Sequence, residues 1–372
     1  MSLASPISAV EVRSSTTPAT QAAWFELCQH DLPRWNDLLL RTNTSLYQYP
    51  FWNEPYRPMW VTPRYLAWGT LAQPLAFVTI LTLGLGPLKI GLVFRGPTRL
   101  QEGELRSREM ISALLVWART ERYAFIRFTH SDPEVLSQLA AEGHAEDFDA
   151  FPYLVDYPIL SEDYIVEQFD RDDDTLASFD REARRKIRRA TEAGYNFHAG
   201  DSAESLADAW PLYQECARRK HFRLERPLSF YMETMRLARA HNRVRLYSVR
   251  LNSKRVGSTL VFRDRTTAHC QLAAFEAEHK QSAAFLHWHS MRDMYRIGAS
   301  RYNLGPGPGS LARFKQQFCQ YPHRYPAPLT IVLKQNWFRL WRKAFVPLAQ
   351  QLQPVLRQLA YQRARFRNRL TA

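Results

Sequence analysis

The sequence is poor in cysteine, and it lacks the cysteine and histidine spacings that mark structural metal sites. Among its 372 residues there are four cysteines, which lie far apart at Cys28, Cys216, Cys270 and Cys319. The absence of a Cys-x-x-Cys pair excludes a zinc finger of the usual spacing, and so few thiols exclude a dense disulfide framework. Scattered thiols are typical of a reducing compartment, so we predict a cytoplasmic protein.

Membrane-targeting signals are also absent from the sequence. Residues 1–20 are rich in Ser, Thr, Ala and Pro and contain no basic stretch followed by an apolar core, so we predict a mobile leader rather than a signal peptide. The one long apolar stretch, Leu75 to Phe94, contains Gly84, Pro87 and Lys89. A membrane span needs about 20 uninterrupted apolar residues. The stretch therefore predicts two buried strands around a turn.

Several catalytic signatures are missing as well. The sequence contains no HExxH motif, no Ser-His-Asp spacing and no Gly-Lys-Ser/Thr after its glycine-rich loop, which excludes the common metalloprotease, serine hydrolase and P-loop classes. His287 and His289 are two residues apart on a predicted helix. They point to different faces and do not predict a metal pair.

Positive charge is plentiful and unevenly distributed. Lys and Arg number 50 against 36 Asp and Glu, a formal net charge of +14, with 45% hydrophobic and 13% aromatic residues. Residues 1–160 carry a net −3 and residues 161–372 a net +17. The composition excludes a disordered chain, and the charge predicts that an anionic partner binds mainly to the second half.

The apolar patterns predict a mixed α/β protein with two similar domains. Each half shows strand-like runs, then a helical pattern, then a further strand, and in the second half the runs 244–251, 256–262 and 268–275 predict an antiparallel meander. We predict a leader at 1–20, an N-terminal domain at 21–160, a C-terminal domain at 161–333 and a basic tail at 334–372.

The densest basic segment is a predicted helix around residues 181–190. Arg181, Arg184, Arg185 and Arg188 share a face at helical spacing, and Gly194 is the expected C-terminal cap. Such a face suits phosphate groups. The alternative is a solvated helix surface whose charge the upstream Asp172–Asp174 neutralise in part.

A glycine-rich loop precedes a second candidate element. Gly305, Gly307 and Gly309 lead into a helix that carries Arg313 and Lys315. Backbone N–H groups at such a turn suit an oxyanion or a phosphate, and Lys315 is placed to meet a leaving group. A plain strand-to-helix turn is the alternative.

Two further candidates lie at the start of the helix that follows the meander. Ser282 is predicted to cap that helix, where small neighbours allow a ligand to approach closely. Glu276, at the preceding strand end, is a candidate general base, although a carboxylate there is also commonly just exposed.

The tail from Lys334 to Ala372 contains nine Lys and Arg and no acidic residue. Tryptophan, phenylalanine and leucine residues interleave with these charges. The pattern predicts either an amphipathic segment on an anionic membrane surface or a terminal helix that packs on its own domain.

Between Tyr47 and Tyr325 these segments resemble, in order and spacing, the Fem-type branch of the acetyltransferase-like (GNAT) superfamily, in particular bacterial envelope and exopolysaccharide-associated acyltransferases. Gln48 to Trp52 resembles an early Gln-x-x-x-Trp motif, and 95–97 a Gly-Pro motif. Residues 185–190 followed by Gly194 resemble an Arg-x-x-Ile-Arg-x-Ala helix. Residues 297–305 and 313–315 resemble a final strand, glycine loop and Phe-Lys element.

The resemblance implies two tandem GNAT-like domains and transfer of an acyl or aminoacyl group to an amine or hydroxyl, without a metal or a tightly bound cofactor. It implies that Lys315 stabilises the oxyanion or the leaving group. It also implies that a phosphate-bearing donor and the acceptor are bound by residues from both halves, namely Arg185, Arg188, Arg189, Gln48, Trp52, Ser282, Gly305, Gly307 and Arg313.

Departures from the family pattern keep alternatives open. Residues 280–284 lack the glycine expected where coenzyme A binds, and Asn303 stands where a carboxylate is common. The donor is therefore acyl-coenzyme A or aminoacyl-tRNA. We predict an acyltransferase of envelope or polysaccharide assembly, cytoplasmic or peripheral on the inner face of the membrane. The alternatives are an aminoacyl-tRNA-dependent peptidyl transferase on a lipid-linked peptidoglycan precursor and a non-catalytic scaffold.

Overall fold

The computed structural model describes residues 23–70, 73–85, 88–100, 107–146, 162–222, 224, 226–307, 309–348 and 351. The predicted leader at 1–20 lies outside them. The strands are β1 (Ala23–Glu26), β2 (Val61–Gly69), β3 (Pro74–Leu85), β4 (Leu88–Phe94), β5 (Thr98–Arg99), β6 (Tyr123–Thr129), β7 (His144–Glu146), β8 (Glu162–Asp163), β9 (Ile165–Glu167), β10 (Asn196–Gly200), β11 (Val244–Leu251), β12 (Lys254–Arg263), β13 (Thr267–Phe275), β14 (Arg301–Asn303), β15 (His323–Arg324) and β16 (Leu329–Val332).

Helices separate these strands. They are α1 (Leu32–Leu40), α2 (Pro50–Asn53), α3 (Ser107–Thr120), α4 (Pro133–Glu142), α5 (Asp172–Ser178), α6 (Arg181–Glu192), α7 (Ala203–Arg219), α8 (Leu228–Arg239), α9 (Ser282–Arg296), α10 (Ser310–Gln316) and α11 (Gln335–Leu340), with a π-helical turn at Trp341–Phe345. Short 3-10 segments lie at Gln29–Asp31, Leu46–Gln48 and Glu54–Met59.

Two large sheets organise the molecule, and each contains the same succession of elements. The first sheet has the order β1-β2-β3-β4-β6-β16-β7, and the second has the order β10-β11-β12-β13-β14-β9. In each sheet three antiparallel strands are followed by a helix and a parallel strand, which are β2-β3-β4-α3-β6 in the first and β11-β12-β13-α9-β14 in the second. The predicted α/β class, with two similar halves and an antiparallel meander, is confirmed.

The second sheet and the first are linked by the chain beyond α10. β16 pairs antiparallel with β6 and β7 of the first sheet, although it follows the second sheet in sequence. The predicted domain boundaries at 160 and 333 stay a prediction, and β16 is the described strand that crosses from one half to the other.

Apolar residues from both halves share one core. The ring of Trp52, on α2, lies 5.4 Å from Phe262 of β12 and 5.8 Å from Phe230 of α8, measured between ring centroids. Tyr56 lies 4.8 Å from the same Phe230 ring. Edge-to-face rings at such distances stabilise a junction beyond the area that they bury. The early aromatic segment therefore joins the two sheets.

The expectations for the first 100 residues are partly corrected. Leu75 to Phe94 forms the antiparallel strands β3 and β4, as predicted. No helix among the described residues is long and apolar enough to cross a membrane. The sequence from Trp24 to His30 has a helix-like pattern, but Trp24, Phe25 and Glu26 lie in β1, because this backbone pairs with β2 and the Trp24 indole donates to the Met110 carbonyl at 2.8 Å.

The described part of the tail packs on the first sheet. Phe338 and Trp341 are buried, and their rings lie 5.3 and 5.8 Å from Phe125 of β6. This segment therefore packs on the protein itself, but on the sheet of the first half rather than on the preceding C-terminal domain at 161–333. Residues 352–372 lie outside the described part of the chain.

Candidate active site at the junction of the two sheets

The candidate site lies where two parallel strands of the second sheet separate. β13 pairs with β14 over three residues, ending at His269 and Asn303. β13 then continues to Phe275, whereas the chain after Asn303 turns into the glycine-rich loop. A wedge therefore opens between Cys270 and Leu304, and it exposes main-chain groups that a continuous ladder would pair.

Lys315 of α10 fills this wedge. Its Nζ donates to the carbonyl oxygens of Leu304 at 2.5 Å and Pro306 at 2.6 Å. A Cβ built on Gly305 would lie 3.7 Å from this Nζ and 4.0 Å from the Cys270 carbonyl oxygen. Burial lowers the pKa of Lys315 to about 8. At neutral pH the side chain is a buried ammonium group that releases its proton in mildly alkaline solution.

The glycine-rich loop contacts Lys315 through carbonyl groups rather than through N–H groups. The Gly305 N–H already donates to the Asn303 side-chain oxygen at 2.6 Å. Gly307 packs tightly, since a Cβ there would come within 2.9 Å of Leu311. Anion binding by Gly305 and Gly307 stays a prediction, and in this structure the loop binds the lysine. Arg313 lies exposed on the same helix as Lys315.

A buried carboxylate connects this loop to the first half of the chain. One Asp163 oxygen accepts hydrogen bonds from Arg95 Nη2 at 2.8 Å, Asn303 Nδ2 at 2.7 Å and the Tyr325 hydroxyl at 3.1 Å. Burial alone would raise the pKa of Asp163, but the Arg95 guanidinium and the Asn303 amide more than offset it, so the pKa is lowered. Asp163 is therefore an anion.

Aromatic rings enclose the partner of that anion. The Arg95 guanidinium carbon lies 5.2 Å from the Tyr47 ring centroid and 4.6 Å from that of Tyr325. Cation–π contacts of this kind stabilise a guanidinium that is removed from water. Burial raises the pKa of both tyrosines, so each keeps its hydroxyl proton at neutral pH.

A path made of hydrogen bonds and a short stretch of main chain runs from Arg95, next to β4, to Lys315. Arg95 binds Asp163, Asp163 binds Asn303, and Asn303 binds the N–H of Gly305. The residues on either side of Gly305 supply the carbonyl groups that hold Lys315. The position of the ammonium group is thereby coupled to a residue about 220 positions earlier in the chain.

Gln48 supports the main chain next to Arg95. It is fully buried, its Nε2 donates to the Phe94 carbonyl at 2.5 Å, and its Oε1 accepts from the Thr79 N–H at 2.7 Å. A Cβ on Gly96 would lie 2.8 Å from the Gln48 amide nitrogen. Gln48 therefore binds the residue before Arg95 and packs closely against Gly96, the residue after it. Ligand binding by Gln48 stays a prediction.

Trp52, the other early candidate, lies in the shared core. It is 1% exposed, and besides its aromatic neighbours it contacts the Arg226 guanidinium, whose carbon lies 5.5 Å from the ring centroid. Its described contacts are with the protein itself. A role in substrate binding stays a prediction.

A histidine and an aspartate that sequence reasoning overlooked lie beside Tyr47. His269 Nε2 and Asp264 Oδ2 are 2.9 Å apart, and the Leu46 N–H donates to the same carboxylate at 3.3 Å. The His269 and Tyr47 ring centroids are 5.9 Å apart. Burial raises the pKa of Asp264, but its hydrogen bond to His269 more than offsets this, so the pKa is lowered.

The structure does not bring Glu276 to Lys315. Glu276 lies six residues beyond Cys270, just after the end of β13, a separation of about 20 Å at strand rise. Its carboxylate binds Lys254 Nζ at 2.9 Å and lies 3.5 Å from His279 Nε2. Geometry gives no support to a general base at Glu276 acting with Lys315.

Ser282 has a different local role from the one expected. The N-terminal cap of α9 is Gln281, which makes no side-chain capping bond, and Ser282 is the first helical residue. Its hydroxyl donates to the His279 carbonyl at 2.7 Å, and the side chain is buried. The capping prediction is wrong because this hydroxyl closes the preceding turn instead.

The basic helix has the geometry that its sequence predicts. Asp180 caps α6, whose Ala183, Ile187 and Ala190 are buried while its arginines, Arg181, Arg184, Arg185, Arg188 and Arg189, are exposed. Glu182 pairs with Arg185, and Glu192 lies 3.7 Å from Arg188. The expected neutralisation by Asp172–Asp174 is wrong: Asp172 pairs with Arg292 at 2.7 Å, and the other two lie near Arg171.

The exposed arginine face ends close to the start of α9. Just after α6, the Tyr195 hydroxyl lies 2.7 Å from His279 Nδ1, three residues before α9 begins. At the other end Asp180 N–H donates to the Gln317 carbonyl at 2.9 Å, just beyond α10. The arginines thus lie on a helix whose two ends contact the loop before α9 and the chain just after α10.

Two surface groups have the geometry of metal ligands. Ligand atoms of Glu276, Glu278 and His279 lie within 4.8 Å of one another, and so do those of Cys28, His30 and Asp31. Lys254 already pairs with Glu276. Neither group is near Lys315 along the described chain, and we assign no metal to them.

Sequence reasoning found Lys315 and the arginine helix but missed the residues that connect them to the first half. Arg95 stood in the Gly-Pro motif, and Asn303 was noted as a departure, so both carried a signal. Tyr47 adjoins Gln48. Asp163 and Tyr325 carried none, because the hydrogen bonds that place them in the site join residues more than 60 positions apart.

Comparisons with known proteins agree with this architecture. Residues 177–316 match the family model described as Acetyltransferase (GNAT) domain. No curated protein matches the sequence significantly. The structure of FemX is similar over 86% of this chain and 100% of FemX, with a TM-score of 0.72 and 15% identity.

Two further solved structures share the fold with lower TM-scores. L-PGS from Bacillus licheniformis has a TM-score of 0.55 at 14% identity, covering 90% of this chain and 98% of that protein. The C-terminal domain of a putative lysylphosphatidylglycerol synthetase from Agrobacterium fabrum has a TM-score of 0.51 at 16% identity, covering 85% and 98%. The resemblance to Fem-type GNAT proteins that the motifs indicated is confirmed.

Proposed function

We propose that this chain, whose fold is that of the Fem-type GNAT proteins, is an acyltransferase that moves an acyl or aminoacyl group from a phosphate-bearing donor to an amine or hydroxyl of an envelope or polysaccharide precursor. The observation that carries the proposal is the buried Lys315 ammonium in the wedge between β13 and β14. This lysine lies inside the segment that matches the acetyltransferase model.

The chemistry of acyl transfer suits that ammonium group. Attack on an acyl carbonyl places negative charge on its oxygen. A preorganised hydrogen-bond donor in a site without water stabilises this charge. A lysine has three N–H bonds, and the Leu304 and Pro306 carbonyls use two of them. The third can be directed to the developing oxyanion or to the leaving group.

The arginine face of α6 is proposed to bind the donor's phosphates. Arg185, Arg188 and Arg189 are exposed on the helix that borders the loops before α9 and after β14. Arginine binds phosphate oxygens through two parallel N–H bonds, so a row of arginines favours a polyanionic donor.

The nature of the donor is the finer question. GNAT domains generally use acyl-coenzyme A as a substrate, whereas the name of one similar structure, a lysylphosphatidylglycerol synthetase, denotes a product that carries an aminoacyl group. Residues 280–284 lack the glycine of a pyrophosphate-binding loop, and the Ser282 hydroxyl is already bonded to the His279 carbonyl group. Aminoacyl-tRNA is therefore the second candidate donor.

The first test is titration calorimetry with coenzyme A, acetyl-coenzyme A and charged tRNA at low and moderate salt. Saturable binding of one donor that survives moderate salt supports the enzyme and selects the donor for an acceptor screen. Absence of binding by all of them contradicts the proposal and favours a scaffold.

The Arg185→Ala/Arg188→Ala variant is expected to raise the Kd for the donor. Arg218→Ala/Arg236→Ala, which removes the same charge from α7 and α8, is the control.

Lys315→Met is expected to lower the transfer rate by about 10²–10³-fold, the usual cost of removing one oxyanion donor. Because burial lowers the pKa of Lys315 to about 8, the ammonium is lost as the pH rises through 8, and kcat should fall over the same range. A thermal melt shows whether the variant is folded. Full activity of a folded Lys315→Met protein would refute the assignment.

A further inference from the structure

The helical segment 335–348 has two apolar faces, and the protein covers one of them. Phe338, Trp341 and Val346 are between 1% and 8% exposed and belong to the core that includes Phe125 of β6. This face attaches the segment to the first sheet. The other face is the subject of the inference.

The second face is a row of large apolar side chains in contact with solvent. Trp337, Leu340, Phe345 and Leu348, called here the exposed stripe, are between 40% and 50% exposed. Nine large hydrophobic side chains are exposed in the described residues, and four of them fall within these twelve positions. Clustering of this kind, unlike single exposed apolar residues, marks an interaction site.

The π-helical turn aligns the stripe. Its members are spaced three, five and three residues apart, and a spacing of five would rotate Phe345 away from Leu340 on a regular helix. The turn at Trp341–Phe345 closes i to i+5, so one extra residue is accommodated between the two halves. The two apolar pairs consequently lie along one side of the segment.

The charges beside the stripe define its partner. Arg339, Arg342 and Lys343 are exposed on the same segment, and residues 334–372 contain no acidic residue. Arg342 lies 3.5 Å from Glu146 of β7, at the base of the segment. Aromatic and aliphatic side chains flanked by cations suit an interface that is anionic at its surface and apolar beneath it.

We propose that the exposed stripe docks on an anionic lipid bilayer, with Trp337, Leu340, Phe345 and Leu348 at the boundary of headgroups and acyl chains and the basic residues near the headgroups. A nucleic acid would use the cations but not Leu340 or Leu348, because aliphatic side chains neither pair with phosphate nor stack on bases. The inference does not depend on transfer activity, since docking is measured without any substrate.

The test is co-sedimentation of the full chain with vesicles of phosphatidylcholine alone or with 30% phosphatidylglycerol. The protein should bind the anionic vesicles and lose at least about tenfold in affinity in Trp337→Ser/Leu340→Ser/Leu348→Ser, because bound apolar area drives insertion. Val116→Ser/Phe169→Ser/Tyr321→Ser, which changes three exposed side chains elsewhere, should bind like the unaltered protein.

A double substitution of two basic residues measures the electrostatic contribution to vesicle binding. Arg339→Gln/Lys343→Gln should weaken binding to anionic vesicles by about 25-fold at low salt, about fivefold for each charge. Arg218→Gln/Arg236→Gln, with the same change in net charge, should not. All positions are exposed, so folding is preserved, and a thermal melt verifies it.

Three results would overturn the proposal. They are failure of the unaltered protein to bind anionic vesicles, equal binding by the stripe variant and the unaltered protein, and a stripe variant that loses self-association or oligonucleotide binding while vesicle binding is unchanged. The last would identify a second copy of the chain or a nucleic acid as the occupant.

Discussion

At the scale of single residues, Asp163 is the group on which the polar contacts of the junction converge. It is 5% exposed, and burial of a carboxylate costs several kcal/mol unless partners compensate. Arg95, Asn303 and Tyr325 supply that compensation from three separate parts of the chain. Such a group contributes to the fold and, through Asn303 and Gly305, to the position of Lys315.

Asp163→Asn is expected to lower the free energy of unfolding by about 3–5 kcal/mol, because it leaves the Arg95 charge buried without its partner. Chemical denaturation at pH 7 measures the loss. Glu233→Gln, which breaks an exposed pair with Arg236, is the control and should cost less than about 1 kcal/mol. Equal, small losses in the two variants would show that Asp163 is not a structural anchor.

The chance of finding a residue from sequence depended on how local its contacts are. Lys315 follows a glycine-rich loop within ten residues, so pattern and resemblance both pointed to it. The wedge that surrounds it needs β13, whose Cys270 lies 45 positions earlier. No local signal distinguishes Asp163 from other acidic residues, because its partners lie 68, 140 and 162 positions away.

At the scale of elements, α6 is a helix that local rules predict almost completely. Asp180 accepts from the Ala183 N–H at 2.6 Å, a cap at the expected end. The buried residues recur every three or four positions, and Gly194 ends the helix at φ +75°. The strand at Trp24 shows the opposite case: pairing with β2 overrides a short helical pattern.

Gly194→Ala is expected to destabilise the protein by about 1–2 kcal/mol, because an L side chain is strained at a left-handed φ. A Cβ at Gly194 meets nothing within 4 Å, so the cost comes from the backbone alone. Thermal or chemical unfolding measures it.

Gly84→Ala is the matched control, since a Cβ there is equally free of contacts and the residue lies in β3 without a positive φ. It should be neutral or slightly stabilising, because alanine restricts the unfolded chain. A similar loss in both variants would contradict the explanation by backbone strain.

At the scale of the whole molecule, the chain after the second sheet completes the first. β16 lies between β6 and β7, and Phe338 and Trp341 of the following helical segment cover β6. Removal of residues 334–372 would therefore expose the core as well as delete the exposed stripe. Point substitutions on one face or the other separate the two effects.

Phe338→Ala is expected to cost about 3–5 kcal/mol, the usual loss for a large buried aromatic side chain. Phe345→Ala, on the exposed side of the same segment, should cost less than about 1 kcal/mol. Denaturation curves of both variants test this. Comparable stability of the two would mean that the segment does not close the first sheet in solution.

Sequence by itself determined the features that depend on neighbouring residues. These are the α/β class with its repeated order of elements, the meander at 244–275, the arginine face of α6 and the Phe-Lys element that contains Lys315. Each rests on periodicity, capping or short spacing, which act over a few residues and can be read along the chain.

Only the tertiary structure decided which of these features meet. It placed Asp163 between Arg95 and Asn303, separated Glu276 from Lys315, returned β16 to the first sheet and left one face of segment 335–348 exposed. Such contacts join residues far apart in sequence, and their free energy exists only once the sheets have formed and water has been excluded between them.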